Sequence, residues 1–138
     1  MTDRQAPASA GAAPMSGAEL RCTVEYLGLT DDWAAARLGV TRRTVQRWMH
    51  GERPIPLGVQ RRVESWVTQT WEEYGLLLGS LSVYPGEPIL TFRRDEDYWA
   101  RRPDSGWLDT KWPARWHRAL AARVAAETGA RIEYLFTG

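Results

Sequence analysis

Cysteine is nearly absent. Cys22 stands alone among 138 residues, so no disulfide can form within the chain. There are only two histidines. With one thiol they make a poor supply for the common zinc sites, which draw mostly on nitrogen and sulfur ligands. No P-loop, nucleophile elbow or HExxH sequence occurs. No apolar run approaches the ~20 residues of a membrane-spanning helix. The N-terminus lacks a positive region followed by an apolar stretch, the mark of a secretory signal. These absences point away from an enzyme, a metal or cofactor protein and a membrane protein, and toward a cytoplasmic chain. Lysine is scarce too: 17 of the 18 basic residues are arginine. With abundant alanine, that is the bias of a high-GC bacterial or phage genome.

What is present permits a real core. Hydrophobic residues make up 43% of the chain, and eight tryptophans supply much apolar area for its size. The formal net charge of +1 says little by itself. Its distribution says more. Arg37 to Arg62 holds seven basic residues against one acid, Glu52, a local +6 in a chain whose remainder sums to −5. A basic stretch in an acidic protein is an electrostatic footprint of the kind that nucleic acid attracts.

That footprint coincides with TDDWAAARLGVTRRTVQRWMHG, Thr30 to Gly51. Thr30 suits an N-cap, and Asp31 and Asp32 suit the positive end of the helix that follows. Trp33, Ala34, Ala36 and Leu38 are its candidates for packing. Gly39 sits where the chain must turn sharply, a position that favours glycine because φ is positive there. Thr41 caps a second helix, from about Arg42 to His50. At 100° per residue, Val45 and Trp48 fall on one side of that helix. Arg42, Arg43, Gln46, Arg47 and His50 fall on the other. This is the form of a recognition helix, whose apolar side locks to a domain while its polar side enters the major groove. There arginine bonds a guanine edge bidentately and glutamine an adenine edge. Arg37, Arg53, Arg61 and the free N–H groups of the helix after Pro56 are candidates for phosphate. A solvated basic face is the plain alternative for each arginine alone; the cap, turn, apolar lock and basic cluster together favour DNA.

The flanking chain reads as follows. Residues 1 to 16 are small and polar, a tail expected to be disordered. Ser16 and Glu19 form a capping-box pattern, which starts a helix running from about Gly17 to Leu27. Leu20, Val24 and Leu27 make its apolar stripe, and Cys22 is expected to be a small packed side chain. Pro56 opens a long helix to about Gly79, with Val59, Val63, Trp66, Val67, Thr70, Tyr74, Leu77 and Leu78 at three- and four-residue steps. Ile89 to Phe92 reads as a short strand, and Asp95 to Arg101 as a short helix capped by Asp95 and ended by Pro103. Pro103 to Gly106 reads as a loop. A further helix is expected from Asp109 or Thr110 to Gly129, with Pro113 in its first turn and Trp116, Ala119, Leu120 and Val124 buried. Arg131 to Phe136 alternates as a strand, with Ile132, Tyr134 and Phe136 on one side. Two short strands cannot make a stable sheet alone, so they pair within one subunit against the long helix or extend across two subunits. Tryptophans 71, 99, 107, 112 and 116 supply apolar surface for core and interface.

The stretch Ala18 to Pro56, with LGVTRRTVQRW followed by GERPIP, resembles the Cro/phage-repressor type of helix-turn-helix domain. Further on, ILTFRRDEDYW, RRPDSGWLDTKW and an alanine-rich helix look like the YdiL-like family, which includes anti-CRISPR-associated autorepressors. Together the two matches run from about Ala18 to the end. The resemblance implies a mainly α (α+β) fold. Residues 17 to 80 would form a four- to five-helix head that includes the long linking helix, and residues 81 to 138 a small C-terminal α/β dimerisation unit. It implies a homodimeric repressor that binds an inverted repeat in double-stranded DNA and acts on its own operon. By position, Arg42, Arg43, Gln46 and Arg47 would read bases, with Thr41 and Thr44 close to the backbone. The chain departs from the pattern at Asp31 and Asp32, where many such heads carry a phosphate-binding glutamine. The segment from Asp109 to Trp116 is also longer.

Other classes compete. An antitoxin would use the same head to regulate its operon while its C-terminal part holds a partner protein. RNA is an alternative ligand for the same arginines. Asp95, Glu96 and Asp97 could in principle bind a metal, but a helix start explains them more simply. No cofactor is expected.

Overall fold

The computed structural model describes residues 13–101 and 111–135. Within them six helices and a two-stranded sheet follow one another along the chain: α1 (Gly17–Tyr26), α2 (Asp31–Leu38), α3 (Arg42–Met49), α4 (Leu57–Val83), β1 (Ile89–Thr91), α5 (Asp95–Arg101), α6 (Ala114–Thr128) and β2 (Ile132–Tyr134). The fold is helix-rich α+β, as the sequence leads one to expect.

Local chemistry starts the first three helices. Ser16 Oγ accepts from Glu19 N–H at 3.0 Å, and the Glu19 carboxylate accepts from Ser16 N–H at 2.8 Å, a complete capping box on α1. Thr30 Oγ1 accepts from Trp33 N–H at 3.1 Å, and Thr41 Oγ1 from Thr44 N–H at the same distance. Between α2 and α3, Gly39 takes φ 71°, a left-handed conformation that an L side chain rarely adopts.

Leu20 and Val24 of α1 and its C-cap Leu27 meet Ala34 and Ala35 of α2, Val45 and Trp48 of α3, and Val63 and Trp66 of α4. Met15 packs against this core, and its N–H donates to the side-chain carbonyl of the buried Gln60 at 3.0 Å. The expected loose tail is therefore anchored at its end; residues 1–12 of it lie outside the described ones. Two other expectations change. Ala35 is buried in place of Ala36, because α2 presents the next position round to its neighbours. Cys22 is exposed. It lies off the Leu20–Val24–Leu27 stripe, on the outward side of α1.

The C-terminal half joins the same core through aromatic rings. Trp33 meets Trp66 edge-on at 5.1 Å, stacks on Trp112 at 5.3 Å, and Trp112 stacks on Trp116 at 4.3 Å. Each indole N–H that this seam removes from water needs an acceptor. Trp116 donates to Thr70 Oγ1 at 2.9 Å, Trp33 to the Lys111 carbonyl at 3.2 Å, and the nearby Trp99 to the Trp112 carbonyl at 2.8 Å. Trp107 lies outside the described residues, and Trp71 is largely exposed.

Helix α4 runs past the expected stop at Gly79, through Gly75 and Gly79 to Val83. Glycine inside a helix costs about 1 kcal/mol. Leu77, Leu78 and Leu81 offset this by packing on Ile89, Ala121 and Val124. Helix α6 starts later than expected, at Ala114, with Pro113 as its extended N-cap at ψ 159°. Proline disfavours helical backbone at the residue before it, so the helix does not extend back through Trp112. Asp109, Thr110, Pro103 and the 103–106 loop fall outside the described residues. Asp95 is also corrected. Its carboxylate accepts from Ala114 N–H at 2.7 Å, capping α6 across space while standing as the first residue of α5.

Strands β1 and β2 pair in parallel, Ile89 with Ile132 and Thr91 with Tyr134. The pairing lies within one chain, and the sheet packs on α6. Thr91 Oγ1 lies 2.7 Å from His117 Nδ1 of α6, both buried. Arg118 ties α6 to the end of β1 through the Phe92 and Arg93 carbonyls at 2.8 and 2.9 Å. Phe136 is outside the described residues.

Candidate functional site

The site is built on α3. Val45, Trp48 and Met49 are buried, while Arg42, Arg43 and His50 are exposed and Thr44, Gln46 and Arg47 half-buried. The apolar lock is close: Val45 is 0% exposed and Trp48 5%. Thr41 and Thr44 sit together at the helix start, their hydroxyl oxygens 3.1 Å apart. So Thr41, Arg42, Arg43, Thr44, Gln46 and Arg47 come from one capped two-turn helix, held at a fixed angle to the body by the side chains beneath it. The left-handed Gly51 ends the segment, with φ 77°. Arg53 follows, exposed, in the turn toward α4.

The cations are not equally committed. The side chains of Arg43, Arg47 and Arg53 form no hydrogen bond or ion pair among the described residues. Arg42 pairs with Asp32 at 3.8 Å, with both side chains mostly in water. Such an exposed pair is worth little, in the range of about 0–1 kcal/mol, so Arg42 is readily released. Gln46 Nε2 donates to Asp31 Oδ2 at 3.3 Å. Arg37 stands apart from the α3 set. It belongs to the last turn of α2, is half-buried, and places its guanidinium over the Trp33 ring at 5.6 Å. Its carbonyl accepts from Arg62 at 2.7 Å. Arg61 is exposed near the start of α4. Pro56 leaves that start without a side-chain cap, so the first N–H groups of a 27-residue helix have no side-chain acceptor from their cap.

Sequence reasoning missed the engagement of Asp31 and Asp32. Their place at the start of α2 was legible. Their partners on α3, ten and fifteen residues away, were not, because only the turn at Gly39 brings the two helix starts together. No local spacing carries that information.

Elsewhere the chemistry is sparse. Among the described residues no three of His, Cys, Asp and Glu stand close enough to hold a metal ion. Among them, too, no helix is long and apolar enough to cross a membrane. An open hollow of about 470 Å³ lies between the ends of α4 and α6 and is lined by Leu78, Leu81, Pro85, Thr128 and Arg131.

Fold and site together define a class: a helix-rich α+β chain carrying a helix-turn-helix segment with an outward basic face. No family model matches the chain, and no curated protein is found that matches it.

Proposed function

We propose that the protein is a sequence-specific DNA-binding regulator, a homodimeric repressor that binds an inverted repeat and acts on its own operon. One observation carries the reading. Arg42 and Arg43 face water on a helix whose opposite side, Val45, Trp48 and Met49, is locked into the core. A helix so fixed can enter the major groove as a rigid body, with arginines directed at base edges. Arg53, Arg61 and the uncapped start of α4 lie next along the chain, and they supply the phosphate contacts that set orientation.

A single head of this size binds weakly. Two heads on a two-fold axis, reading half-sites about one DNA turn apart, bind far better. The C-terminal sheet offers the joint. Arg131 C=O accepts from Ile89 N–H, and Leu135 N–H donates to Thr91 C=O, each at 2.8 Å. By strand alternation the backbone of Ile132 points the opposite way. Among the described residues no strand lies on that side, and Ile132 is 40% exposed. Antiparallel pairing with a second copy about Ile132 sets Arg131 opposite the partner subunit's Glu133, and again in reverse. A register one residue on would oppose two carboxylates.

The test is selection of bound fragments from random duplex DNA, followed by titration at several salt concentrations. The expected result is an inverted repeat, with affinity falling steeply as salt rises. Failure to enrich any sequence, or tighter binding of structured RNA than of duplex DNA, would reject the reading.

A further inference from the structure

We infer that Asp31 is a positioning residue that sets the base preference of Gln46, making it a reader of adenine. This inference rests on the DNA-binding reading above and specifies it.

A carboxylate at neutral pH only accepts hydrogen bonds, whereas an amide has a donating and an accepting end. Asp31 therefore faces the nitrogen of Gln46, as the 3.3 Å contact from Nε2 to Oδ2 records. Both residues are half-buried at the α2–α3 junction. Asp31 lies in the first turn of α2, whose dipole favours its negative charge there. The cap on that turn comes from Thr30, so Asp31 is left to serve α3.

With one Nε2 hydrogen committed to Asp31, Gln46 has one donor and one acceptor left, side by side. That pair matches a single base edge in the major groove. Adenine offers an acceptor at N7 and a donor at N6. Guanine offers two acceptors, N7 and O6, and would need both Nε2 hydrogens. Thymine has no donor on this edge, and cytosine no acceptor. Without Asp31 the amide could turn over, and Gln46 would be free to give both hydrogens to guanine. Asp32 does not contribute to this, since it lies against Arg42. It supplies a control carboxylate on the same turn.

The experiment measures binding of each single-base variant of the selected duplex to the wild-type chain and to Asp31→Asn, Asp31→Glu, Asp32→Asn, Gln46→Ala and the Asp31→Asn/Gln46→Ala pair, at fixed salt. In the wild type, one position per half-site favours adenine over guanine by roughly tenfold or more. Gln46→Ala abolishes that preference. Asp31→Asn, whose amide can pair with either end of Gln46, lowers it to about twofold or less and leaves the other positions unchanged. Asp31→Glu retains it. Asp32→Asn frees Arg42 and raises affinity, but leaves the adenine preference at the Gln46 position unchanged. In the Gln46→Ala background, Asp31→Asn changes no base preference.

An adenine preference that survives Asp31→Asn overturns the inference, as does one that shifts equally at all positions. Selective binding with either result leaves the DNA-binding reading standing; absence of any selective binding removes both. A measurement on the unaltered protein guards against a variant that fails to fold. One of the two side-chain amide protons of Gln46 should exchange with water more slowly than the other, and equal exchange overturns the pairing.

Discussion

The α2–Gly39–α3 segment and the tryptophan seam are built in opposite ways. In the first, every start and stop is local: threonine caps lie three residues from the N–H groups they satisfy, and one glycine makes the turn. In the second, only the Trp112–Trp116 stack is local. Trp33, Trp66 and Trp112 come from three distant parts of the chain, and the Trp116 indole donates to Thr70, 46 residues earlier. The difference separates display from stability. The short helices display side chains. The seam holds them still, because its rings and its satisfied N–H groups fix the two halves of the chain to one another.

The largest expected effect tests whether the two halves share one fate. Trp116→Ala removes a ring that is 1% exposed and leaves Thr70 without its indole donor. It should cost about 3–5 kcal/mol in urea unfolding. Amide exchange in α1 to α3 should accelerate with that of α6; a head that keeps its protection would show the halves to be independent.

Arg43→Ala tests the opposite quality of α3. The side chain is exposed and unpaired among the described residues. The melting temperature should hold, while duplex affinity drops by about 1–3 kcal/mol with relaxed preference at one base position. Equal affinity for all duplexes before and after the change would take Arg43 out of the reading set.

Gly39→Ala separates backbone strain from packing. A Cβ there meets nothing within 4 Å, yet φ is 71°. The loss should be about 1–2 kcal/mol, from the left-handed conformation alone. A change of only a few tenths, measured by urea unfolding, would mean the turn relaxes.

The smallest effect concerns β2. Arg131→Glu or Glu133→Arg alone should weaken self-association by roughly 0.2–1 kcal/mol per altered pair, and the two together should restore it. Sedimentation equilibrium reads this directly. Single and double variants that behave alike would place the dimer joint elsewhere.

Much of the first region, and the start of α1 before it, was legible in the sequence. Ser16, Thr30 and Thr41 cap their helices as read, because a cap and its N–H lie within three residues. Val45 and Trp48 are buried together because the helical period decides their side. What failed to be read lay between elements. The choice of Ala35 over Ala36 depends on how α2 is rotated against α1 and α3. Cys22 has a size that suits either side of α1. The Asp95 carboxylate serves a helix that begins 19 residues later, where the sequence suggested its own.

The amino-acid sequence alone determined the helix starts, the turn at Gly39 and the partition of α3 into an apolar and a basic side. These follow from backbone φ, hydrogen bonds over three or four residues and the 3.6-residue repeat. Only the tertiary structure decided that Asp31 and Asp32 meet Gln46 and Arg42, that β1 and β2 lie parallel, and that tryptophans from both halves close one core. Such contacts join residues far apart in the chain. Their geometry depends on how whole elements pack, and no short stretch of sequence records it.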